Sequence, residues 1–371
     1  MRIKNLLMSE EVADKIQQAV EFPRGKDVWL PDCEGPKLQP FRPFGHTAIE
    51  WVRQINEGRQ AFVWKVRIDG VFYALKLHGF PHIGWLRPSA PVERMREKIH
   101  HEDSFYRECR AYGRLQEVGL EDLVVRCHGY VLLTPQQEKE VHELSYEELD
   151  SDGEELDPLK PRPGSDRLPV RGIVKEWVEE GTVHFDPRKI RQLNNDLKTI
   201  NSVGIIVHDI KELNYMGGKL VDFNDAWTIP YHEVTAWQKG VAYREPSVDR
   251  MTDPSFFDAM IDAWNENGGR PRIWFRNIRS LEYYRPDDKG MARLRKRASG
   301  TPKIVLKGWP DPFSYDWKAT QKARQKTRAS PAGRANAGVK PRRQSERVGP
   351  QQEPRATKGK VLQQKTRPRK K

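Results

Sequence analysis

The sequence predicts an α+β fold of two lobes followed by a basic tail. Three observations carry this: short alternating strands between Ala48 and Leu77, apolar stripes at helical spacing around Phe105 and again after Asp186, and a change of composition near Lys318. Length allows this, because 371 residues suffice for one large domain or a two-lobed one with appendages, and cores usually divide beyond roughly 250 to 300 residues. A 37% hydrophobic content with eleven Trp supplies a core, while a mean hydropathy of −0.81 with 32% charged residues implies that part of the chain lies outside it.

The charge is local. From Lys318 to Lys371 eighteen Lys and Arg stand against two Glu, a net +16, so the chain's +13 leaves about −3 for residues 1–317. A mildly acidic body with a basic arm suggests a folded unit with an electrostatic attachment, whereas a nucleic-acid enzyme would be basic throughout. Only three cysteines occur, Cys33, Cys109 and Cys127, which argues against a disulfide scaffold and for a reduced compartment. No segment is apolar for eighteen residues and the N-terminus turns acidic after a short apolar patch, so neither membrane span nor signal peptide is expected.

Taken in order, residues 1–45 form a lead-in, with a short helix near Glu10 to Val20 and then the Pro- and Gly-interrupted LPDCEGPKLQPFRPFG. The first lobe, 46–180, opens on strands: Phe62 to Ile68 alternates, Asp69-Gly70 reads as a hairpin turn and Val71 to Leu77 returns. Ala90 to Leu120 is expected as a helix with Phe105, Cys109, Tyr112 and Leu115 on one face, and a hairpin is expected at Val124 to Leu133 around His128-Gly129. An insertion, 138–168, begins with ten acidic residues against one lysine in 138–157 and is read as an exposed loop before the strand GIVKEWV. The second lobe and its extension, 181–316, start at Asp186-Pro187, a helix start with Pro at its first position, and carry Ile190, Leu193, Leu197 and Ile200 inward. A further capped helix starts near Asp253 and stops at Gly268-Gly269, and the Lys-, Arg-, Gln- and Pro-rich tail, 317–371, is expected to be disordered.

The chemistry-bearing stretch is HDIKELNYMGGKLVDF, where Lys211 and Asn214 follow Asp209 and a strand-like Leu220-Val221 delivers Asp222. Phosphoryl transfer needs a carboxylate near the attacking hydroxyl, a cation for the moving phosphate and oxygen ligands for magnesium. Those types are all present, and a short hairpin would bring Asn214 to Asp222. The structural alternatives are plain: Asp222 capping its loop, Asp209 stiffening it, Asn214 closing a turn. Upstream, FYALK puts Lys76 in an apolar strand, which is costly unless its ammonium finds a partner, and Glu108 in FYRECRAYGRL is the suitable one.

Over roughly Ile55 to Trp264 these residues resemble the protein-kinase-like fold, two-lobed with a compact, atypical C-lobe. The resemblance implies that Gly58 belongs to a phosphate-covering loop, that Lys76 and Glu108 orient nucleotide phosphates, that Asp209 is the catalytic base with Lys211 beside it, and that Asn214 and Asp222 bind Mg2+ with ATP as cofactor. The pattern departs at Asn56 and Ala61 in place of loop glycines, at Asn224 after Asp222-Phe223, at Val207 and His208 before Asp209, and in lacking the APE motif.

A closer resemblance runs through LPDCEGPKLQPF, YALK, FYRECRAYGRL, GIVKEWV and HDIKELNYMGGKLVDFNDAWTIP, which look like the fungal kinetochore Sim4-complex subunit family with its kinase-like core. It implies a nuclear protein at the kinetochore or centromere. Two functions follow from the pair of resemblances: Mg-ATP binding with transfer of the γ-phosphate to a protein hydroxyl, or a structural subunit of a centromeric assembly. A small-molecule kinase is a third, suggested by the short interval between Asn214 and Asp222. The tail's KPRRQSER and KTRPRKK read as nuclear-import patches, with non-specific DNA contact through the same charges.

Overall fold

An antiparallel sheet and helices with apolar stripes build the core among the described residues. The computed structural model describes residues 15, 18–19, 30, 34–42, 48–57, 61–79, 89–146, 169–179, 181–182, 184–238, 246–277 and 308–329. The chain divides into two units, 1–317 and 318–371.

The first unit is led by a five-stranded antiparallel sheet made of β1 (Glu50–Glu57), β2 (Ala61–Ile68), β3 (Val71–His78), β4 (Cys127–Leu132) and β5 (Arg171–Glu176), in the order β1-β2-β3-β5-β4. The β2–β3 hairpin pairs Ile68 with Val71 across Asp69-Gly70, as the turn sequence predicts, and Asp69 itself takes φ of 48°. Two strands are not those expected. A third, β1, precedes the hairpin, and the stretch Val124 to Leu133 holds one strand, β4, instead of a hairpin. Gly129 there is a bulge at φ 136°, and an added Cβ would meet Phe41 N at 2.6 Å and Gln39 O at 2.7 Å. The glycine lets the segment Gln39–Phe41 cover the β4 edge, with Phe41 N donating to Tyr130 O at 2.9 Å.

The single helix expected over Ala90 to Leu120 is two: α1 (Val92–Glu102) and α2 (Ser104–Val118). Asp103 divides them by capping α2, its carboxylate accepting from Phe105 N and Tyr106 N while pairing with the buried Arg171. Helix α2 crosses the sheet and buries Phe105, Cys109, Tyr112 and Leu115, the predicted face; each such side chain contributes about 1.5–3 kcal/mol before entropy. The acidic run begins as a helix, α3 (Pro135–Tyr146), with Val141 buried and Glu140 accepting from Trp51 Nε1, so its first part is no loop; residues 147–168 lie outside the described ones.

Beyond the sheet, Asp186 caps Arg188 N at the Pro187–Lys189 turn, and α4 (Ile190–Ser202) buries Ile190, Leu193, Leu197 and Ile200 as the spacing predicts. Four two-residue strands follow, β6 (Ile205–Ile206), β7 (Tyr215–Met216), β8 (Lys219–Leu220) and β9 (Trp227–Thr228), with β6 pairing β9 and β7 pairing β8. Then come α5 (His232–Gln238) and α6 (Thr252–Glu266). Residues 308–316 pack on this part, with Trp309 Nε1 donating to Asn201 Oδ1 at 2.7 Å and Arg114 lying over the Tyr315 ring. Helix α7 (Trp317–Ala329) occupies the start of the tail, where disorder is expected from the composition; residues 330–371 and both predicted import patches lie outside the described ones, as does most of the predicted Glu10 to Val20 helix. Among the described residues no helix is long and apolar enough to cross a membrane.

Candidate functional site

Strand pairing alone puts three basic side chains on one face of the sheet. Alternation aligns Ala74, Lys76 and His78, and the cross-strand pair Ala74–Lys175 adds Lys175 of β5 to the same side. Helix α2 lies over that face and brings Glu108, whose side chain is fully buried. Lys76 Nζ stands 3.0 Å from Glu108 Oε2, the predicted pair, and Lys175 Nζ donates to the other oxygen, Oε1. His78 Nε2 lies 3.4 Å from Glu108 Oε2.

Lys76 also donates to Asp222 Oδ1 at 2.8 Å, and the same oxygen accepts from Asn224 N at 2.9 Å. Lys175 reaches Val221 O at 2.7 Å, and Tyr112 OH donates to that carbonyl at 3.2 Å. Phe223 is fully buried against Tyr112, ring centroids 5.1 Å apart, which anchors the backbone that carries Asp222.

The electrostatics follow from these distances. Burial disfavours the Glu108 carboxylate, yet Lys175 and Lys76 outweigh it and hold its pKa well below the usual range. Burial likewise opposes the Lys76 ammonium, and Glu108 with Asp222 overcomes it and raises its pKa; Asp222 is lowered against its own burial by Lys76. All three are charged at neutral pH. His78 goes the other way, because burial dominates and lowers it, so it is the neutral member.

The loop 207–214 completes the site. Asp209 accepts from Lys211 Nζ at 2.7 Å and from Asn214 Nδ2 at 2.9 Å, and Asn214 O accepts from Val221 N, which ties this loop to the segment that carries Asp222. Asp253 fixes the loop from below. Its carboxylate is buried and accepts from Val207 N and His208 N, both at 2.8 Å, and from Asn201 Nδ2 at 2.7 Å. It therefore acts as a loop anchor; α6 starts one residue earlier, at Thr252, with no side-chain cap. His208 is held at φ 65°, a left-handed conformation costly for a side chain, and its ring packs on Trp227 at 4.6 Å; burial drives its pKa down to about 3.

Two arginines nail α2 in place. Arg110 donates to Thr228 O at 3.1 Å and to Pro230 O, while Arg114 donates to Val203 O at 2.9 Å and Ile229 O at 2.7 Å. These are charge-assisted bonds from buried guanidinium groups to backbone carbonyls.

Of the predicted residues, Lys76, Glu108 and Asp222 meet directly, and Asp209, Lys211 and Asn214 form the adjoining cluster. Gly58 lies outside the described residues. Asp225, burdened by burial and by nearby Asp209 and Asp222, has a raised pKa that Arg107 partly offsets. Sequence reasoning misses Lys175, Asp253, Arg110 and Arg114. For Lys175 a signal exists, since a lysine inside GIVKEWV poses the same question as the one inside FYALK.

A search among curated proteins gives no match. The family model described as kinetochore Sim4 complex subunit FTA2 matches residues 27–227, more than half of the chain, including every predicted site residue. The nuclear, kinetochore localisation expected from the sequence agrees with that description. By this match the chain belongs to the kinetochore Sim4 complex subunit FTA2 family.

Proposed function

We propose that the chain is a structural subunit of a nuclear kinetochore assembly, a kinase-like two-lobed body whose cleft charges are closed on one another. Lys175 is the observation that carries this reading. Two buried ammonium groups, Lys76 and Lys175, face two carboxylates, Glu108 and Asp222, so the charges balance within the chain itself. Arg110 and Arg114 hold α2, and with it Glu108, through five carbonyl contacts, one of them to Glu34 O. Family membership supports the assembly role. The basic arm would add a sequence-independent, salt-sensitive contact with DNA.

A second reading, Mg-ATP binding with phosphate transfer to a protein hydroxyl, is favoured by the convergence of Lys76, Asp209, Asn214 and Asp222. The donors suit a hard cation: Asp222 offers carboxylate oxygen, and Asn214 spends its amide nitrogen on Asp209, which leaves its carbonyl oxygen as a ligand. Bound there, magnesium would neutralise phosphate charge. Asp209 would orient the acceptor hydroxyl, and Lys76 would have to turn from Asp222 toward the phosphates. The deciding assay is radiolabelled ATP transfer by the full chain, compared with Asp209→Asn and Asp222→Asn. The structural reading expects the three to be equal and at background. Transfer by the wild type that both folded variants lose would establish the second reading.

A further inference from the structure

The segment that follows α6 is extended, and from Arg272 onward its residues alternate in burial. Ile273 is buried and Phe275 packs inward against Phe257, while Arg272, Trp274 and Arg276 face solvent, and Arg270, two residues before Arg272, is exposed as well. Trp274 is 82% exposed, the most exposed large hydrophobic side chain among the described residues. Such exposure usually goes with a loose loop, and this segment is tightly held. Asn265 grips both backbone groups of Ile273, accepting from its N and donating to its O at 2.8 Å each. Trp264 Nε1 donates to Pro271 O at 3.1 Å, Asp258 accepts from Asn277 N at 2.8 Å, and Arg276 pairs with Asp262. The guanidinium of Arg272 lies 4.9 Å from the centroid of the Trp274 ring.

We infer that this Arg-Arg-Trp stripe is the docking site for another subunit of the assembly, a protein presenting acidic side chains around an apolar recess that receives the indole. Trp and Arg are the residues that most often dominate protein interfaces, and a side chain fixed before binding loses little freedom on binding. The charges of Arg270 and Arg272 select an acidic partner and speed its approach. Duplex DNA would satisfy the arginines through its phosphates but offers them no apolar recess beside the indole, so a protein fits better. The inference rests on the structural-subunit reading above.

The test is co-expression of the full chain with the other Sim4-complex subunits, followed by size-exclusion chromatography and an affinity titration. The variants are Trp274→Ala, the pair Arg270→Glu with Arg272→Glu, and Lys139→Ala as a distant surface control. All should melt with the wild type, because none touches the core. Trp274→Ala should weaken assembly by roughly 30-fold or more, the scale of an interface hot spot. The charge reversal should slow association most at low salt, and the control should assemble normally. Wild-type assembly matched within about twofold by Trp274→Ala would overturn the docking site and leave the structural reading standing. Failure of the wild type to assemble at all would overturn the structural reading and this inference with it. Binding of a duplex oligonucleotide that the charge reversal abolishes, with assembly unchanged, would overturn the protein partner in favour of DNA.

Discussion

Replacing Glu108 by Gln preserves the shape of the side chain and removes its charge from between the ammonium groups of Lys76 and Lys175, residues that are 5% and 6% exposed. Lys76 keeps Asp222 at 2.8 Å. Lys175 is left with the carbonyl of Val221 at 2.7 Å and the face of Tyr112, 5.3 Å from its centroid. Removing one partner of a buried pair costs about 3–5 kcal/mol, because the other charge stays buried without compensation. At roughly 2–3 °C per kcal/mol for a body of this size, Glu108→Gln should lower the melting temperature by about 6–15 °C. Adding Lys175→Met removes the stranded charge and should recover roughly 1–4 kcal/mol. Thermal and urea melts followed by circular dichroism complete the double-mutant cycle. The reasoning fails if Glu108→Gln melts within about 1 °C of the wild type, or if Lys175→Met destabilises the Glu108→Gln protein further.

The same pair sets a pH dependence. Glu108 has a folded pKa well below its ordinary 4.5, so its contribution is fully present above that value and is lost as pH falls through it toward the folded pKa. Urea midpoints measured down the acid limb should therefore fall more steeply for the wild type than for Glu108→Gln; parallel limbs would contradict the linkage. Lys76 acts at the other end: its raised folded pKa means that its contribution is present below 10.5 and lost as pH rises past it, so Lys76→Met should flatten the alkaline limb. Arg114→Met removes two charge-assisted bonds, to Val203 O and Ile229 O, and should cost about 3 kcal/mol in a urea melt. An unchanged midpoint would show that α2 is held by packing alone.

How far the site is legible in the sequence depends on the range of each contact. Lys76 and Glu108 announce themselves because a lone lysine in an apolar strand and a lone acid on a helix's inner face need each other. Asp209 and Asn214 share one short loop, and the β7–β8 hairpin that follows it returns the chain so that Val221 N donates to Asn214 O beside Asp222, all within one short stretch of sequence. Asp253 is different: its partners Val207 and His208 lie 46 and 45 residues away, and an Asp at a helix start looks like a cap from sequence alone. Arg110 and Arg114 read as a polar edge of α2, since the carbonyls that they hold are 76 or more residues distant. The β4 strand is misread as a hairpin because His128-Gly129 has turn chemistry, whereas the glycine is needed for the close approach of residues 39–41. Division of the long helix at Asp103 follows from its buried pairing with Arg171, again invisible to periodicity.

The central claim, that Lys76, Lys175, Glu108 and Asp222 close their charges on one another, is tested most directly by a thermal melt of the full chain with and without excess Mg-ATP. A ligand at one hundred times its dissociation constant stabilises the native state by about 2.7 kcal/mol, a shift of several degrees. With Lys76 and Lys175 committed to Glu108 and Asp222, the account predicts no shift beyond about 1 °C. A rise of several degrees that Asp222→Asn abolishes would contradict it.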